Sequence, residues 1–447
     1  MRPETWNHSG FRTVALVAAG LLWHPAVAAN AAGITWQDDP VEVATGEAFQ
    51  GPWRMNDSDF RYVDAPSVAL DDDGVASVVW VDQDAKDVYF QRYDADGEAL
   101  LPDSVNISGS GDIFSWLPRV VTAADDPETV YVAWQEIIFS GGSHGGDILF
   151  ARSTDGGETF SDPVNLSETE AGAGKGRLDR RRWDNGSLDL AEGPDGAIYV
   201  AWTEYEGALR LVRSEDGGEA FSDPVHVAGD DDAPARGPSL GVAQGRVHLV
   251  WTVGEDPAAD IHHAVSEDGG ASFREPELVG ATDGHADAPQ VGVDADGVLH
   301  LVYAESADGP WQPAEIRYAR TNADDAFGDS RVIGESHAQE YHSLGFPTVA
   351  VADGNVVVLW ELFPAQGERS RGLGIIMADD GGDSFSEADV VPHTADPELG
   401  INGSLQGLLM RKLAVNDQGH IAVVNSSFLP EEKSRVRLIR GRTSRAE

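Results

Sequence analysis

The stretch STDGGETF (153–160), followed by SDPVNLS (161–167), decides the reading of this chain. It returns as SEDGGEAF (214–221) with SDPVHVA (222–228), then as SEDGGASF (266–273) and ADDGGDSF (378–385). A sentence written four times marks a repeat architecture, in which each copy belongs to one supersecondary unit. Each turn supplies Asp to accept backbone N–H bonds and paired glycines for positive φ.

Working outward from the turn, every unit has the same order of parts. An apolar run comes first, often after proline: PSVAL (66–70), PRVVT (118–122), PSLGV (238–242), PQVGV (289–293), PTVAV (347–351). After an Asp/Gly turn comes a β-rich run ending in an aromatic: VASVVW (75–80), TVYVAW (129–134), AIYVAW (197–202), RVHLVW (246–251), VLHLVY (298–303), NVVVLW (355–360). A third run, the Asp-rich turn and a short fourth run complete the unit. Four short strands joined by Gly/Asp turns, repeated, predict an all-β propeller of four-stranded antiparallel blades. Six units are complete, and a seventh starting at RKLAV (411–415) stops one strand short. GITWQDDPVEVA (33–44) has the form of the missing piece. The expectation is therefore seven blades, the last closed by the N-terminal strand, which would remove an exposed edge.

Residues 1–28 read as a signal peptide: Arg2 and Arg12, the apolar run VALVAAGLLW (14–23), then AVA (26–28). The expected location is secreted or periplasmic, with a single propeller domain over 29–447 and no transmembrane segment after cleavage. Cysteine is absent, so disulfides and thiol chemistry are excluded. Asp and Glu total 76 against 31 Lys and Arg, a net charge of −45, which argues against nucleic-acid binding. Against that background a local group of arginines is informative.

The turn pattern S-x-D-G-G-x-[TS]-F resembles the Asp box, or BNR repeat, of the sialidase superfamily, and the resemblance spans nearly the whole mature chain. It implies an Asp-box propeller with structural roles for Asp155, Asp216, Asp268 and Asp380. Family sialidases have six blades, which is the alternative count. They hold the substrate carboxylate with three arginines, and use a Tyr nucleophile paired with Glu and an Asp acid/base. The family's F/Y-R-I-P motif has its nearest counterpart in LPRV (117–120), with the arginine after the proline. The resemblance points to Arg54, Arg119 and Asp112 for a hydrolase.

Blade-to-blade connections and the loops between second and third strands share one face. They are long here, and long loops on a rigid ring carry function. Trp53, Trp116, Trp183 and Trp311 fall in this variable face and are expected to offer stacking surfaces for sugar rings. Arg180 and Arg182 beside Trp183, and Arg54 beside Trp53, suit carboxylate or sulfate. Carboxylates two residues after the second-strand aromatic (Asp82, Glu136, Glu204, Glu305) rise toward the same face. Glu204 beside Tyr205, or Glu340 beside Tyr341, could supply an acid/base or activate a tyrosine, and His342 is a candidate for substrate binding or as a base. Arg119 and Lys412 are the cations of the innermost-strand column, with Asp189 two residues deeper than its own column position.

The composite expectation is a propeller that binds acidic or sulfated glycans on the variable face. The alternatives are a sialidase-like hydrolase, a polysaccharide lyase with Tyr341 or a nearby His as base, and a protein-interaction scaffold of the cell envelope. No metal-ligand spacing or cofactor motif is present, so no cofactor is expected.

Overall fold

The computed structural model describes residues 32–443 except 53, 55, 112, 138–145, 169–171, 178–182, 186, 206, 255–257, 280–283, 311, 323–325, 337–339 and 405–407, with backbone alone at 175–177 and 183–185. The expected signal peptide lies outside the described residues. Among those described, no helix is long and apolar enough to cross a membrane.

The architecture is an all-β propeller of four-stranded antiparallel blades. The first sheet runs Val63–Leu70, Ala76–Asp82, Asp87–Tyr93, Val105–Asn106. The second runs Ser115–Thr122, Val130–Glu136, Asp147–Ser153, Val164–Asn165, and the third Leu188–Glu192, Ile198–Thr203, Leu209–Ser214, Val225–Ala228. A later sheet has the same order over Ser343–Ala352, Asn355–Phe363, Leu373–Ala378, Asp389–Val390. In the closing sheet, Ile34–Trp36 and Val41–Gly46 both pair antiparallel with Lys433–Thr443, so the N-terminal strands complete the last blade.

The anticipated seven (or six) separate blades do not form. Among the described residues, five blade-sized sheets stand alone beside two two-stranded ribbons, and residues 235–334 make one eight-stranded sheet. Its two four-stranded meanders are joined by the single parallel pair Ala259↔His285. The reason is local. The fourth strand of the first meander, Glu277–Val279, covers only Ile261–His263. The edge near Ala259 is left open, and the next inner strand takes it.

The second strands form the core, with Trp134, Trp202, Trp251 and Trp360 almost fully buried. The repeated turns work between blades. Asp155 accepts from the Thr159 N–H (2.9 Å) and hydroxyl (2.6 Å), and Asp216, Asp268 and Asp380 accept from the matching residues four positions on. These bonds hold the Asp268 carboxyl down at about 2. Three of the four turn phenylalanines pack edge-on against the third strand of the preceding unit: Phe160 on Phe90, Phe221 on Phe150, Phe385 on Tyr318. Two residues beyond that partner, an arginine reaches into the turn: Arg152 donates to the Gly217 carbonyl (2.9 Å) and Arg320 to that of Gly381 (2.8 Å). The interface within the eight-stranded sheet departs from this pattern. Val265 replaces the arginine, and Phe327 of a degenerate turn meets His263, which is hydrogen-bonded to His248 (3.1 Å).

A candidate functional site on the variable face

Five innermost strands carry a bulge just before their proline. The residue ahead of each proline has positive φ: Ala65 (52°), Leu117 (52°), Gly237 (56°), Ala288 (55°) and Phe346 (48°). Pairing skips at each of these places. A bulge bends its strand and re-aims the residues beside it. Here it separates the axial residues from those at the mouth.

At the axis, Arg119 is only 3% exposed and lies 3.7 Å from Asp189. Its guanidinium donates to the Leu409 carbonyl (3.1 Å). Arg411 donates to Asp189 at 2.8 Å and keeps a quarter of its side chain exposed. Burial lowers Arg119 to about 10, an effect that Asp189 opposes. Arg119, read from the sialidase resemblance as a substrate arginine, is thus enclosed with its own counter-ion. Trp116 is corrected likewise. It is 3% exposed and packs beside Phe114 in the core, because it sits on the inner strand Ser115–Thr122 and not in a loop.

The carboxylate column is equally committed. Glu204 pairs with Arg210 (3.1 Å) and Glu305 with Arg317 (2.6 Å), each across two adjacent strands. Glu136 accepts from the Trp134 indole (3.3 Å), and burial raises its pKa. Tyr205 is 5% exposed and is not a surface group. Glu204 and Tyr205 therefore do not form an open acid/base pair.

Arg54 is exposed on a loop over the first two sheets. That loop is anchored by Asn56, which donates to the Ile137 carbonyl (3.0 Å) and accepts from the Phe114 N–H (3.1 Å). Asp112, Trp53, Trp311, Arg180 and Arg182 lie outside the described residues, as does the side chain of Trp183.

The remaining candidates, Tyr341 and His342, meet a residue the sequence reading passed over. Arg371 lies in the loop after Asn355–Phe363, and its charge acts on the Tyr341 hydroxyl, whose pKa burial raises. The His342 N–H donates to Phe363 (2.9 Å) and the Arg371 N–H to Leu362 (2.8 Å), so both residues hang from the same strand end. The guanidinium of half-buried Arg371 makes no hydrogen bond or ion pair among the described residues. Beneath this loop is a buried network. Asn402 donates to Glu361 (2.6 Å) and to the Gly372 carbonyl (3.0 Å), and Glu361 pairs with Lys412. Lys412 is 2% exposed, so its role is to position this loop from below. The sequence signal for Arg371 was its place in a second-to-third-strand loop, GERSRG (367–372), of a strongly acidic chain.

Fold and site define a propeller whose loop face carries Arg371, with no ion pair among the described residues, close enough to act on Tyr341, with His342 next to Tyr341 in sequence. No protein-family model and no curated protein matches the sequence. Solved structures share the fold. One is a polysaccharide lyase of family PL25, an ulvan lyase bound to -[GlcA(1-4)Rha3S]-, with TM-score 0.54 and 14% identity over 89% of this chain and 95% of that one. The polysaccharide lyase Uly1 gives 0.52 and 13% over 92% and 100%. A protein of unknown function from Dyadobacter fermentans gives 0.51 and 18% over 77% and 99%.

Proposed function

We propose that this is an exported, carbohydrate-active propeller that engages an acidic polysaccharide on its variable face and cleaves it by β-elimination beside a uronate. The observation that carries the reading is the Arg371 guanidinium, without hydrogen bond or ion pair among the described residues, close enough to act on Tyr341, the residue before His342. In a chain of net charge −45, a half-buried arginine left without a carboxylate suits an incoming one. The fold shared with two polysaccharide lyases supports the same class.

Arg371 neutralises the uronate carboxylate and favours charge that develops there as the adjacent C–H proton leaves. Burial holds the Tyr341 hydroxyl above its ordinary 10, so it keeps its proton at neutral pH. Tyr341 is therefore the donor to the departing glycosidic oxygen, and His342 accepts the carbon-bound proton. The electron pair of that C–H bond forms the C=C bond as the C–O bond breaks. A hydrolase reading is weaker, since Glu204 and Glu305 are neutralised by their own arginines.

The test is digestion of uronate polysaccharides, following ultraviolet absorbance of the unsaturated product beside new reducing ends. Both signals rising together support elimination, whereas reducing ends alone mean hydrolysis. Retention on the polysaccharide with neither signal means binding without turnover. Failure to be retained would move the function to a protein partner.

A further inference from the structure

A second candidate site lies on the flank, away from the variable-face loops. A cavity of about 540 Å³ opens where the short outer strand Asp389–Val390 meets the closing strand Val41–Gly46. Val390 and Leu399 form part of its apolar wall, and Glu42, His393, Asp396 and Arg437 supply its polar groups.

The pairing of these groups is unequal. Glu42 is engaged by Arg435 (3.4 Å) and Lys433 (3.6 Å). Asp396 accepts from the Glu398 N–H (2.9 Å), and the His393 ring is bonded to the Asp38 carbonyl (2.9 Å). The guanidinium of half-buried Arg437 makes no hydrogen bond or ion pair among the described residues, although both acids are near enough to act on its charge. An arginine that lines a cavity while its neighbouring carboxylates are committed elsewhere has its donors available to a ligand.

We infer that this flank cavity binds a single anionic sugar unit, its carboxylate or sulfate on Arg437, its hydroxyls on Glu42 and Asp396, and its C–H face against Val390 and Leu399. A bare anion would use the guanidinium but not the apolar wall, so the mixed lining selects a saccharide. The ligand class rests on the acidic-polysaccharide reading, and the site would anchor a chain outside the reactive face.

The experiment is calorimetric titration of the full chain with glucuronate, using glucose and inorganic sulfate as controls. An Arg371→Gln background removes the variable-face contribution. Glucuronate is expected to bind that variant, and adding Arg437→Gln should weaken it about tenfold or more. Leu399→Trp, which fills the cavity and leaves the guanidinium intact, should do the same if Arg437→Gln fails to fold. Unchanged affinity in both would overturn the site, as would complete loss of glucuronate binding on Arg371→Gln alone. Equal affinity for sulfate and glucuronate would overturn the saccharide part. If Arg437→Gln alone abolished all binding, the flank site would stand and the variable-face reading would fall.

Discussion

Asp189 is the residue on which the axis depends most. Burial alone would raise its pKa, but Arg411 and Arg119 outweigh that and hold it below 3.8. Its stabilisation is therefore fully present above that value and is lost as pH falls through the lowered one. Asp189→Asn should cost about 3–5 kcal/mol, because it strands buried Arg119 against Arg411. The check is a urea midpoint shift with unchanged slope. Arg371 belongs to the opposite case, an arginine whose guanidinium has no ion pair among the described residues. Under the lyase reading, Arg371→Ala should lower kcat/KM by about a hundredfold or more, with the melting temperature unchanged. Asn402→Ala should also lower turnover by loosening the loop that carries Arg371. A conservative Asn402→Asp places a second acid against Glu361 and should not restore it.

At the scale of elements, two features set the local energetics. The pre-proline bulges put non-glycine residues in the left-handed region, which costs about 1–2 kcal/mol each. Ala288→Gly should therefore raise stability by about 1 kcal/mol, and Gly237→Ala should lower it by a similar amount. Measured denaturation midpoints decide both. The second feature is the interface inside the eight-stranded sheet, where His248 and His263 are pushed down to about 3 and 4 by burial. Both are neutral when folded at neutral pH, while the unfolded chain takes up protons near 6.5. Stability should therefore be full above about 6.5 and decline as pH falls toward 4. The neighbouring repeats suggest the control. Tyr131 and Tyr199 occupy the His248 position, and Leu211 occupies that of His263. His248→Tyr with His263→Leu should flatten the pH dependence of the melting temperature between pH 6.5 and 4.

At the scale of the molecule, ring closure rests on the pairing of Val41–Gly46 and Ile34–Trp36 with Lys433–Thr443. Removing residues 29–46 should leave that long strand with an open edge. Light scattering should then show self-association, and unfolding should lose its single transition. The propeller itself was legible in the sequence, since the turns, aromatics and prolines recur in register with the strands. The joining of two units into one sheet was not, because it depends on how few residues of Glu277–Val279 reach across Ala259–Ser266. Trp116 was misplaced for a related reason: a strand beginning just before it turns an expected loop residue inward.

The sequence by itself determined the repeat, the order of strands within it and the N-terminal origin of the closing strand. These follow from local patterns: alternating apolar residues, Asp/Gly turns and a missing fourth strand. Tertiary structure alone decided which charges stay free. Arg119, Arg371 and Arg437 look equivalent along the chain, yet one is enclosed with Asp189 and the guanidinium groups of the other two make no hydrogen bond or ion pair among the described residues. Whether an arginine serves the fold or a ligand depends on which carboxylates come within reach, and that is set by residues far apart in sequence.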